Sequence, residues 1–157
     1  MKEDKIAREH LVKFLRGGNA FVTLDKALEG IPFEKAGWLP DGLPYSLWQQ
    51  IEHLRVSQKD ILDFTKNIGY VEIKWPEEYW PKDRAPKDRM EWKSSLQAIK
   101  SDFEEMIGLI EDPANDLFTP FPHGTGQTLF REAVLIAEHN AYHTGQILVM
   151  RRLLDIW

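Results

Sequence analysis

One stripe of side chains near the C-terminus constrains this chain more than any other feature. Leu129, Ala133, Ile136, Asn140, His143, Ile147, Met150 and Leu154 follow one another at steps that alternate between four and three. That period is the seam of a helix packed at a shallow angle on its neighbours, as in a four-helix bundle. Two members of the seam, Asn140 and His143, are polar. A stripe that turns polar midway is where a bundle usually builds a site.

Three more long helical patterns precede it. The first runs from about Asp4 to Leu15 and stops at Gly17-Gly18. A short one follows over about Ala20 to Leu28, with Asn19 expected as its N-cap and Gly30 just past its end. The second long helix opens at Ser46, which has capping-box spacing to Gln49. Its stripe is Leu47, Ile51, Leu54, Ile61 and Ile68, with Gln58 interrupting it and Gly69 expected as its stop. The third starts with Asp88 as N-cap and Glu91 at the third helical position. Its stripe is Trp92, Leu96, Ile99, Phe103, Met106 and Ile110, and Pro113 lies beyond its end. The fourth extends from about Gln127 to Leu154. No strand pattern competes, so the reading is all-α, a four-helix bundle in a single domain spanning residues 1–157.

Between the second and third long helices lies GYVEIKWPEEYWPKDRAPKD, a tryptophan- and proline-rich stretch without helical or strand period. Long irregular loops inside compact domains tend to be functional. Its aromatic residues, Tyr70, Trp75, Tyr79 and Trp80, either pin the loop to the bundle or wall a ligand pocket.

Charge and composition remove several function classes. The net charge is −5, and no Lys/Arg cluster offers the basic surface that phosphate binding needs, so no nucleic-acid partner is expected. No apolar run reaches the ~18 residues of a membrane helix. The charged N-terminus lacks the apolar core of a signal peptide, and a cytoplasmic location is expected. There is no cysteine, so any metal site must use nitrogen and oxygen ligands.

His139 and His143 lie four residues apart, on one face of the last helix. The residue after His139 is Asn140, so the His-Glu-x-x-His pattern of a zincin, with its glutamate base, is absent. His53 sits mid-way along the second long helix beside Leu54. Facing helices can bring it to the His139/His143 pair, giving three imidazoles with coordination positions left open; a hydrogen-bonded core histidine is the competing reading. His10, beside Glu9, reads as a surface residue, and His123 in FPHGTGQT as a ligand, a cap or an exposed side chain.

EHNAYHTGQILVMRRLLDIW resembles the C-terminal signature of the DinB-like superfamily, and YSLWQQIEHLRVSQKDIL resembles that family's second helix. YWP at 79–81 and HGTGQTLFREAV at 123–134 are similar to one branch of it. The resemblance covers the chain from about residue 10 to the end. It implies a DinB-like four-helix bundle holding a divalent metal, zinc or nickel, on His53, His139 and His143. It also implies a homodimer, and a transferase chemistry that uses a low-molecular-weight thiol of the bacillithiol type on a small-molecule electrophile. One departure is Asp155, where relatives carry glycine. Gln50, Ser57 and Gln146 lie three or four positions from the histidines on the same helices, which makes them candidates for supporting the ligands or lining the pocket. A metal-dependent hydrolase would use the same three ligands. A metal-binding or structural bundle without turnover is the alternative of a different class. Free imidazoles titrate near ~6.5, so an all-histidine site is expected to release its metal as the pH falls through about 6.

Overall fold

The computed structural model describes residues 2–157. The long helices are α1 (Lys2–Arg16), α3 (Leu47–Lys66), α4 (Arg89–Glu111) and α5 (Leu129–Leu153), joined by the short α2 (Leu24–Leu28) and a 3-10 turn at Phe33–Lys35. No strand occurs among the described residues. α3 is the central element, packed against both α4 and α5, while α1 covers the α4/α5 side.

Local chemistry sets the helix starts. Ser46 and Gln49 form the expected reciprocal capping box at α3, and Asp88 accepts from the backbone N–H groups of Met90 and Glu91 at α4. Each cap satisfies donors that no intrahelical carbonyl can reach. Two boundaries differ from the sequence reading. The N-cap of α2 is Thr23, whose hydroxyl accepts from Lys26; Asn19 instead donates to the Lys13 carbonyl near the end of α1. α3 ends at Lys66 with Asn67 as its C-cap, so Ile68 falls outside the helix and is exposed. Asn67 ends the helix by accepting from Gly69 N–H through its own side chain, a local turn that competes with another helical bond.

The far end of α5 explains the departure at Asp155. Ile156 N–H donates to the Arg151 carbonyl and Asp155 N–H to the Arg152 carbonyl, the paired closure of a Schellman motif. That closure holds Asp155 at φ 55, the left-handed region where glycine has no Cβ to clash.

The apolar core divides in two. One cluster gathers Leu47, Ile51, Leu54, Trp92, Ile99, Ile147 and Met150 around α2. The other gathers Ile61, Leu62, Met106, Ile110, Leu129, Ala133 and Ile136 under α1. Along α3 the apolar stripe breaks between Leu54 and Ile61, and along α5 between Ile136 and Ile147. α3 and α5 run antiparallel, so the two breaks face each other and form one polar layer. Gln58, fully buried there, donates to the Ile99 carbonyl of α4 at 2.6 Å and accepts from Asn140 of α5 at 3.2 Å. The residue that interrupts the α3 stripe is thus a cross-tie between three helices. Asn140 spends its amide on that tie, leaving His143 as the seam residue that faces the site.

The segment 67–88 joins α3 to α4 without a regular element. Tyr70 and Tyr79 both donate their hydroxyls to Asp60, at 2.7 and 2.6 Å, and so tie the loop to α3. Burial and then the Asp60 carboxylate push both phenols up, so both keep the protons that make these bonds.

Candidate metal centre

The polar layer opens, at its loop-facing side, onto three imidazoles. His53 comes from α3, and His139 and His143 come from successive turns of α5. One nitrogen of each lies within 4.8 Å of the other two. The Nε2 atoms of His139 and His143 are 3.0 Å apart, and the His53 ring centre is 4.8 Å from that of His143 and 5.3 Å from that of His139. His53 and His143 are buried, and His139 is half-buried.

Neighbouring groups bear on the tautomers. His53 Nδ1 faces the Tyr79 carbonyl at 3.1 Å. A carbonyl only accepts, so the proton sits on Nδ1 and the lone pair on Nε2. His143 Nδ1 faces the Gln146 amide oxygen at 2.9 Å, which also accepts from Gln50 Nε2 at 2.7 Å. That oxygen favours a proton on Nδ1 and leaves the lone pair on Nε2, the atom that faces His139. The Gln50 amide nitrogen, a donor, closes on the same His143 Nδ1 from α3 and favours a lone pair there, so the two amides pull this imidazole in opposite directions. His139 differs: its Nδ1 is buried with no hydrogen-bond partner.

Burial and proximity keep the set neutral. The His139 imidazole is lowered to about 3, first by burial and then by the charges His143 and His53 would carry. His143 is lowered to about 4 by burial and by His53, with Gln146 opposing. His53 is lowered by burial against the pull of the Tyr79 carbonyl. Neutral imidazoles with inward lone pairs are what a divalent cation requires. Three imidazoles brought this close, with the Tyr79 carbonyl turning the His53 lone pair inward, could hold a metal ion.

The other candidates separate cleanly. Gln50 and Gln146 meet at His143 and orient it. Ser57 is buried one turn along α3 from His53, but no hydrogen bond joins its hydroxyl to the histidines among the described residues. His10 is exposed on α1. His123 stands apart from the cluster: its Nε2 donates to the Phe64 carbonyl at 2.8 Å, and its ring packs against Phe64 and Phe121.

Two contributors escape a reading of helix faces. Trp80 lies flat on His53, ring centres 4.0 Å apart and planes 2° from parallel. The Tyr79 carbonyl holds the Nδ1 edge of the same imidazole. Both come from the loop, so its aromatics pin it to the bundle and wall the site as well. The cluster of loop tryptophans was the available signal; a backbone carbonyl carries none.

A family model described as the DinB superfamily matches residues 20–147, a span that contains all three histidines and both glutamines. No curated protein and no solved structure matches the chain.

Proposed function

The chain belongs to the DinB superfamily, and we propose that His53, His139 and His143 hold a divalent metal ion, zinc or nickel, at which a low-molecular-weight thiol is transferred to a small electrophile. The convergence of three neutral imidazoles on one point carries this reading. A divalent ion bound by three protein nitrogens has positions left for a further ligand and supplies the Lewis acidity that favours a deprotonated thiol at neutral pH.

The residues of the chain do the rest. The Tyr79 carbonyl holds the proton of His53 on its outer nitrogen, and the Gln146 amide oxygen favours the same for His143. Trp80 fixes the plane of His53 and keeps water from that face. The Gln58–Asn140 tie sets the spacing of α3 and α5 immediately below, and with it the distance between His53 and the His139/His143 pair. The absence of cysteine from the chain is compatible with a thiol that arrives from solution.

The experiment has two stages. Purified protein is analysed for bound metal by mass spectrometry, then assayed for consumption of a small thiol with a generic electrophile, with and without chelator. Chelator-sensitive thiol consumption supports the transferase. Metal without thiol turnover, but with chelator-sensitive ester or amide cleavage, would reassign the same ligands to a hydrolase. Metal without either turnover would leave a binding protein.

A further inference from the structure

The histidine cluster is rimmed by aromatic rings that the fold leaves in water. Trp75 is 67% exposed and Tyr142 is 64% exposed. Trp75, from the loop, contacts the His53 ring at 6.3 Å between centres, and Tyr142, from α5, contacts the His143 ring edge-on at 4.9 Å. Two further rings reach His53. Tyr45 stacks on Trp80 at 4.9 Å, and Trp80 stacks on His53.

These rings are held. Trp75 packs edge-on against Tyr79 at 5.1 Å, and Tyr79 is anchored by its hydroxyl to Asp60. Large aromatic surfaces left exposed and fixed forgo burial that the bundle could have supplied elsewhere. None of Tyr45, Trp75, Trp80 and Tyr142 carries a charge, and Asp60, the carboxylate beside them, is occupied by two phenols. Of the glutamines at the site, Gln146 Oε1 and Gln50 Nε2 engage each other and His143, and Gln50 Oε1, without a partner, is buried behind the imidazoles rather than exposed with the rings. Recognition at this mouth therefore falls to ring faces and edges, which favour another flat ring in offset or edge-on contact.

From this we infer that the substrate accepted at the histidine site presents a planar aromatic ring, seated against Trp75 and Tyr142. The inference rests on the metal-site reading and names the substrate class for that site.

The test measures binding and needs no turnover. Cobalt(II)-loaded protein is titrated with 4-benzylimidazole and with 4-(cyclohexylmethyl)imidazole, followed by the visible spectrum of the metal. Both probes offer the same imidazole nitrogen, and only one carries a flat ring. The benzyl probe is expected to bind about fivefold more tightly, the size of one aromatic contact. Trp75→Leu and Tyr142→Leu keep an apolar side chain and remove the ring, and each should bring the ratio towards one with cobalt content unchanged. Equal binding of the two probes by the unaltered protein, or a preference that survives both substitutions, overturns the inference while leaving the metal site standing. If a leucine variant loses its cobalt, the comparison on the unaltered protein decides alone. Failure to bind cobalt at all removes the metal reading, and this inference with it.

Discussion

His139 Nε2 and His143 Nε2 lie 3.0 Å apart on successive turns of one helix, and the third imidazole that meets them comes from a helix packed antiparallel to it. Two turns of a helix bring a pair of nitrogens together at no cost in tertiary order. The third requires the whole bundle to form.

Removing any one of the three histidines should therefore strip the metal. His53→Ala, His139→Ala and His143→Ala are each expected to lose most of the bound ion by mass spectrometry, while His10→Ala, on the exposed face of α1, keeps it. Unchanged metal in the His53 variant would refute the ligand set.

The sequence expectation of metal release near pH 6 used the pKa of a free imidazole. Burial has lowered His139 to about 3 and His143 to about 4, so protons compete for these nitrogens only in more acidic solution. The metal-free protein should show the matching stability change. The unfolded chain binds protons on these histidines below about 6.5, and the folded chain refuses them until much lower, so stability is full above 6.5 and falls as the pH drops towards 4. Urea midpoints of metal-free protein at pH 7.5, 6 and 5 should decline more steeply than those of His139→Gln; parallel profiles would contradict the burial argument.

Gln146→Ala should weaken metal binding without abolishing it. The Gln146 amide oxygen favours the proton of His143 on its outer nitrogen, against the Gln50 amide nitrogen, and losing such a partner typically costs about 10–100-fold in affinity. Competition with a chromogenic chelator gives the number. An unaltered affinity would show that His143 is oriented by packing alone.

Asp155→Gly should stabilise the fold. The position is held at φ 55 by the Schellman closure of α5, a conformation that costs a residue with a Cβ roughly 1 kcal/mol and glycine little. A rise of the urea midpoint with unchanged slope is expected, and a fall would mean that the carboxylate makes a compensating interaction.

The helices were legible because their determinants lie within a few residues of one another. The four-three period of α5 announced a buried seam, and every member from Leu129 to Met150 is buried. Ser46 and Asp88 announced helix starts through side chains that reach only to the next turn. Where the reading slipped, a local competitor had won: Thr23 rather than Asn19 at α2, and the Asn67 turn before Ile68. Of the site, the i,i+4 spacing of His139 and His143 follows from helix geometry, and Gln146 follows as the next residue on that face.

The rest depends on chain separation. Gln58 read as a flaw in a stripe because its partners, Ile99 and Asn140, belong to other helices. His53 acquires its tautomer from a carbonyl 26 residues away and its flat neighbour from the same loop. Helical period and caps are written in side chains spaced by the turn of the backbone, so reading the residues in order recovers them. The meeting of α3 with α5, and the path that lays Tyr79 and Trp80 over His53, arise from burying two apolar clusters at once around a polar layer. That is a property of the packed molecule, and no single stretch of the chain carries it.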